Sequence, residues 1–202
     1  CVNLSGSLII PEGVEEIGPA AFAGCTSLTG TLSLPSTLKI LGTVNEYSSY
    51  WDGVFHSCNF VCELKLPEGL KVIGAGAFEN CKNLYGELHL PEGLEAIGSS
   101  AFAGCENLSG SLTIPQGITS IPDNCFNGTW LGGTLELHDG ITTIGDGAFA
   151  NTGLKGELLL PKNLEVISHN VFYNCDFSGV LVLPKGLHTI GDKSFAYNWR
   201  LM

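Results

Sequence analysis

Catalysis and metal binding need acids, bases, nucleophiles or ligands held together, so the carboxylates, histidines and cysteines of this 202-residue chain come first. Glu63 and Glu87 open two matching strings, E-L-K-L-P and E-L-H-L-P. Two carboxylates side by side can work as acid and base or hold a weak calcium ion. The plainer reading is a solvated strand face with Lys65 nearby. His56, His89, His138, His169 and His188 fall at five different places in the surrounding pattern, and no Ser–His or Cys–His arrangement recurs. The eight cysteines form no CxxC and no zinc spacing. Glycine marks turns, with no G-x-G-x-x-G between a strand and a helix. No catalytic residue, metal site or cofactor is therefore expected.

The elements that carry these residues follow one pattern: G-x-L-x-L-P-x-x-L-x-x-I-G-x-x-A-F-x-x-C-x-x-L-x. Copies begin near Gly6, Gly30, Cys62, Gly86, Gly110, Gly133, Gly156 and Gly179. Seven of the eight units are 23 or 24 residues long and the second has 32. Residues 1–5, CVNLS, read as the tail of a preceding unit, so the sequence is expected to start in mid-repeat with a coil before it. Such a period is the signature of a solenoid.

The pattern assigns each position a physical role. L-x-L alternates, so it reads as a short strand with two residues inward. Proline then ends the strand, because it has no N–H for the ladder. L-x-x-I-G is expected to turn the chain, and Ala-Phe to plug the far side of the coil. Phe22, Phe55, Phe78, Phe102, Phe126, Phe149, Phe172 and Phe195 hold that one place, while Phe60 and Phe177 replace the leucine near the unit's end. About six inward side chains, at roughly 1.5–3 kcal/mol each, give on the order of 10–15 kcal/mol per unit. Ordering each backbone residue costs roughly 1–2 kcal/mol, which is more in total. One unit cannot fold alone, and stacking must supply the difference. A single elongated domain over 1–202 is expected.

Six cysteines, Cys1, Cys25, Cys58, Cys81, Cys105 and Cys175, share one position, which Thr129, Thr152 and Asn198 take elsewhere. A position that accepts threonine and asparagine wants a small polar group, so free thiols are expected. Stacked coils would still bring cysteines within disulfide range, and Cys62 could meet Cys58. Cys1 is covered by the repeat, with a lipidated mature N-terminus as the alternative.

The side chains that the core does not claim are the candidates for binding. Outward strand positions run Ser7/Ile9, Thr31/Ser33, Glu63/Lys65, Glu87/His89, Ser111/Thr113, Thr134/Glu136, Glu157/Leu159 and Val180/Val182, polar and acidic in the middle and apolar at the end. The second unit's nine extra residues fall within TVNEYSSYWDG (43–53). Tyr47, Tyr50 and Trp51 there are not needed by the repeat, and rigid aromatics among Ser and Asn bind at low entropic cost. The candidate ligand-binding set is therefore Tyr47, Tyr50, Trp51, Asp52, Glu63, Lys65, Glu87 and His89, with Glu46 at the rim. The alternative is an insertion that folds onto its coil and covers apolar area.

Composition narrows the partners. Apolar residues are 44% and charged residues 14%, too apolar for a disordered chain. A formal charge of −11 disfavours nucleic acid and anionic lipid. No apolar run approaches the ~20 residues of a membrane span.

The LPxxLxxIGxxAFxxC run, joined by Gly-Ser-Leu-Thr-Ile-Pro segments in eight in-phase copies, resembles the BspA-like class of leucine-rich repeats. The resemblance covers essentially the whole chain. It implies a leucine-rich-repeat solenoid: a β-rich right-handed coil of 23–24-residue repeats, with short parallel strands and little helix. It also implies an exported or surface protein of anaerobic bacteria, a habitat in which unpaired cysteines are at home. The implied work is non-catalytic binding of a protein or glycoprotein, host-derived, as in adhesion. Glycan or peptide capture for nutrient uptake and a structural spacer are the alternatives. The 32-residue second unit and the loss of the repeat cysteine in later units depart from the pattern.

Overall fold

The computed structural model describes residues 4–44 and 52–202. Within them the chain is a parallel-strand β-solenoid of about eight turns, and no helix forms among the described residues. Every strand pairing is parallel and joins successive coils, as Leu8–Ile9 with Leu32–Ser33 and Leu112–Thr113 with Leu135–Glu136. The buried side chains form one hydrophobic cluster running from Ile17 to Phe177.

The phenylalanines stack as the repeat requires. Rings of Phe22, Phe55, Phe78, Phe102, Phe126, Phe149, Phe172 and Phe195 follow one another at centroid spacings of 5.5–5.7 Å. Phe60 and Phe177 meet this column edge-on, at 5.8 and 5.7 Å. The first and last rings of the column, Phe22 and Phe195, are only half-buried, because a terminal coil has a neighbour on one side.

The strands depart from the sequence reading in one respect. L-x-x-I-G, read above as a turn, holds the most regular ladder in the molecule. One four-stranded sheet joins Glu16–Ile17, Ile40–Leu41, Val72–Ile73 and Ala96–Ile97. Another joins Ser120–Ile121, Thr143–Ile144, Val166–Ile167 and Thr189–Ile190. Two residues per coil are too few to show alternation, and their hydrogen-bond partners lie a full unit away. The L-x-L pairing is itself patchy. In coils 3 and 4 it shifts back to Tyr85–Glu87 with Asn107–Ser109. In the last coils it lies at Lys155–Glu157, Asp176–Gly179 and Arg200–Leu201.

The two four-stranded sheets are separate because of one proline. At repeat position 13 a backbone N–H donates to the carbonyl before it in the stack: Gly42 to Ile17, Gly74 to Leu41, Gly98 to Ile73, Gly145 to Ile121, Ser168 to Ile144 and Gly191 to Ile167, at 2.6–3.0 Å. The fifth coil has Pro122 there, with no N–H to give. The ladder stops between Ile97 and Ser120, and the stack is carried across this seam by the Phe side. There Ser100 donates to the Asp123 carbonyl and Phe102 to that of Cys125, both at 2.9 Å.

The shared cysteine position is a hydrogen-bonding position. Cys58, Cys81, Cys105 and Cys175 each donate from Sγ to the phenylalanine carbonyl of the preceding coil, at 3.0–3.1 Å. Thr129 and Thr152 donate instead to the phenylalanine carbonyl of their own coil, and Asn198 reaches both. The seven described cysteines are free, and Cys62 accepts a hydrogen bond from the Leu32 N–H. Burial pushes the thiols of Cys58 and Cys105 up to about 12 and that of Cys175 up to about 11. Thiolate, the reactive form, is thereby suppressed at neutral pH. Iodoacetamide at pH 8 is expected to label all of them in denaturant and to leave Cys81, Cys105 and Cys125 unlabelled in the folded chain. Rapid native labelling of Cys105, read by mass spectrometry, would show that the position is open to solvent.

Candidate functional site

The outward strand row is the largest set of side chains that the core leaves free. All sixteen positions expected to face outward are exposed, from Ser7 and Ile9 to Val180 and Val182. Period-two alternation against a buried leucine ladder produces this row, as with Leu64 under Glu63 and Lys65, or Leu88 under Glu87 and His89.

Glu63 and Lys65 pair with each other at 3.1 Å, and Glu87 approaches His89 at 3.5 Å. All four are exposed. Each carboxylate thus has a basic side chain beside it, two residues along its own coil. Among the described residues no group of three His, Cys, Asp or Glu side chains is placed to hold a metal ion. Glu63 makes an isolated bridge to Tyr85, and Glu87 ends a strand, while Lys65 and His89 stand just outside the strands. Asp52 is half-buried and its carbonyl accepts the Ala20 N–H at 2.8 Å, which ties it to the coil below. Glu46, Tyr47, Tyr50 and Trp51 lie outside the described residues.

Neighbouring outward side chains also interlock. Thr31 Oγ1 donates to Ser7 Oγ at 3.1 Å, Thr134 Oγ1 to Ser111 Oγ at 3.2 Å, and Thr113 Oγ1 to Glu136 at 3.0 Å. These bonds stiffen the polar part of the row and reduce its free hydrogen-bonding capacity.

The row becomes apolar at its end. Leu159, Val180 and Val182 are 65%, 61% and 72% exposed. With Pro184, Glu157, Lys162 and Lys185 they line a groove of about 420 Å³. Lys162 is held by Asp139 at 2.8 Å, and that hydrogen bond raises the lysine pKa and lowers the aspartate's. Three branched apolar side chains standing together in water are a binding surface in waiting. The sequence marked them as outward and apolar, but their gathering into a groove depends on the stacking of coils 7 and 8.

Sequence comparison within single units missed one further pair. His56 and Glu79 occupy the same position in adjacent coils and approach to 3.9 Å with little exposure. Burial lowers the histidine pKa and raises that of the glutamate, so both are pushed toward their neutral forms. The signal in the sequence is their shared position, one residue after the phenylalanine, in consecutive units.

This geometry has relatives. A profile of the BspA type leucine rich repeat region, in six copies, matches residues 1–50 and 49–178. The chain belongs to that family. A leucine-rich repeat protein from Bacteroides ovatus ATCC 8483 superposes with a TM-score of 0.69 at 31% identity, over 94% of this chain and 46% of that one. This chain therefore spans a little under half the length of that protein. The leucine rich repeat protein of T. pallidum aligns with a TM-score of 0.51 at 24% identity, over 73% of this chain and 76% of its own. A leucine rich cell surface protein from Faecalibacterium prausnitzii A2-165 aligns at 22% identity and a TM-score of 0.46, over 97% of this chain and 71% of that chain. No curated protein matches the sequence. The chain is thus a leucine-rich-repeat module. Among the described residues no helix is long and apolar enough to cross a membrane.

Proposed function

We propose that this chain is a non-catalytic binding module of an exported or surface-displayed protein, and that it captures a protein or glycoprotein, host-derived, in adhesion. The observation that carries this reading is the outward row: acidic at Glu63, Glu87, Glu136 and Glu157, then apolar at Leu159, Val180 and Val182. A row of that composition suits an extended protein segment carrying basic residues followed by apolar ones, with apolar anchors in the groove and charges giving register. Glu63, Lys65, Glu87 and His89 form the polar stretch of this surface. Tyr47, Tyr50, Trp51 and Asp52 are proposed as further ligand contacts on the strength of their residue types alone. The surface sits on one solenoid domain spanning 1–202.

The test is saturable binding to a panel of immobilised matrix and mucosal glycoproteins, each presented intact and after enzymatic removal of its glycans. The expected result is micromolar binding to at least one of them that survives glycan removal and weakens as salt is raised. Absence of saturable binding to every protein would refute the reading. Binding that vanishes with the glycans would replace it with glycan capture.

A further inference from the structure

The Phe side of the last four coils carries a second surface, unrelated to the outward row. Two positions of the repeat flank the phenylalanine turn there, one just before Ala-Phe and one just after. In coil 5 they are Asn124 and Asn127, and in coil 7 they are Asn170 and Tyr173. In coil 6, between them, they are Gly147 and Ala150. Two small residues between two larger pairs leave a trough one coil wide. Its walls stand two coils apart, about 11 Å at the adjoining phenylalanines, whose successive rings are 5.5 and 5.6 Å apart. The trough is a groove of about 290 Å³, with Asn151 and Asp146 at its margins and no lysine or arginine in its lining.

Its polar groups are fixed in place and only partly used. Asn127 Nδ2 donates to Asn124 Oδ1 at 2.9 Å, Asn151 Nδ2 to Asn127 Oδ1 at 3.3 Å, and Asn174 Nδ2 to Asn151 Oδ1 at 3.1 Å. Each amide has two donors and two acceptor lone pairs, so the ladder leaves most of that capacity open. The side chain of Asn170 takes no part in the ladder. The Asp146 carboxylate is exposed and accepts the His169 N–H at 2.8 Å through Oδ1, leaving its second oxygen at the rim.

An aromatic row leads away from the trough. Tyr173 meets Tyr197 edge-on at 5.0 Å, and Tyr197 meets Trp199 at 5.6 Å. Tyr197 is 49% exposed and Trp199 84%. Backbone conformation explains part of this composition: Asn124, Asn151, Asn170 and Asn174 sit at φ of 53–56°, where asparagine is tolerated. It does not explain Asn127 or Tyr173, whose position is alanine in coils 4, 6 and 8, nor an exposed tryptophan.

Paired amides, one carboxylate and exposed aromatic rings, with no lysine or arginine lining the groove itself, make up a chemistry that recognises an uncharged sugar. Vicinal hydroxyls each give and accept a hydrogen bond, and amide and carboxylate groups answer both directions. The apolar face of a pyranose ring packs on an aromatic face. We infer that this groove binds one hexose of a neutral polysaccharide, seated over Gly147 and Ala150 with its hydroxyls on Asn124, Asn127, Asn170 and Asp146. The following sugars stack along Tyr173, Tyr197 and Trp199.

Calorimetric titration of the full chain with gluco-, manno- and galactohexaose, neutral hexose oligosaccharides of defined length, tests this. The expected result is saturable binding of at least one hexasaccharide, weakened tenfold or more by Asn127→Ala and by Tyr173→Ala. Both variants place in the position the alanine that neighbouring coils already carry, so melting should be unchanged. The variant Leu159→Glu, Val180→Glu, Val182→Glu should bind the same sugar as the parent does, which separates this site from the outward row. No binding of any neutral hexasaccharide at millimolar concentration, or equal binding by the Asn127→Ala, Tyr173→Ala double variant, would overturn the inference.

Discussion

Phe102→Ala is expected to destabilise the solenoid by about 3–5 kcal/mol, as truncation of a fully buried phenylalanine does. Phe102 has no exposed surface and stacks on Phe78 at 5.5 Å and Phe126 at 5.7 Å. Its removal therefore leaves a gap in a column in which each ring packs on two others. The coils above and below cannot close on it, because their backbones are tied by the Phe102 N–H to the Cys125 carbonyl and by that of Phe78 to the Ala101 carbonyl. Phe195→Ala removes the same ring from the last coil, where it touches one stacked neighbour and is already half-exposed. It should cost less than half as much. Urea titrations followed by circular dichroism measure both, and equal losses at the two sites would contradict a one-dimensional stack.

The second large effect concerns a residue with no side chain. Gly98→Ala should cost about 3 kcal/mol, at the upper end of ordinary overpacking. A Cβ at 98 would lie 2.6 Å from the Ala75 Cα and 2.7 Å from the Gly74 carbonyl carbon, so it would meet backbone that cannot rotate aside. The Gly98 N–H also donates to the Ile73 carbonyl at 2.8 Å, which fixes the approach. Gly18 occupies the same repeat position in the first described coil and would meet nothing within 4 Å. Gly18→Ala should change stability by no more than about 0.5 kcal/mol, as open surface positions do. The pair separates close packing of coils from any general intolerance of alanine at this position. Thermal melts suffice, since one kcal/mol moves the midpoint by about 2–4 °C in a chain of this size.

These two residues also mark what was legible in the sequence. Phe102 was legible because eight phenylalanines in one register admit only a shared core position. Gly98 was legible as a turn residue, but its reason was not, since the contact is with a backbone 23 residues earlier. For the same cause the strands at Ala96–Ile97 and its equivalents were read as turns: a two-residue strand carries no internal period. Pro122 was visible as an exception at position 13, and only the hydrogen bonds made by its equivalents show that it divides the sheet. Glu63, Lys65, Glu87 and His89 face outward as alternation required, and their approach to one another along each coil follows from the two-residue spacing. The gathering of Leu159, Val180 and Val182, and the trough over Gly147 and Ala150, come from comparing one position across coils. No single stretch of sequence contains either.

The proposed function divides the labour: inward residues hold the stack, and the outward row would make the contact. Replacing Leu159, Val180 and Val182 together by glutamate tests this most directly, with protein binding and the melting curve read on the same sample. Capture of the protein ligand is expected to weaken at least tenfold, about 1.4 kcal/mol, while the melting temperature stays within a few degrees of the parent's. Binding that persists at full strength, or a collapse of the melting temperature, would contradict that division by assigning the three side chains to the solenoid's own stability.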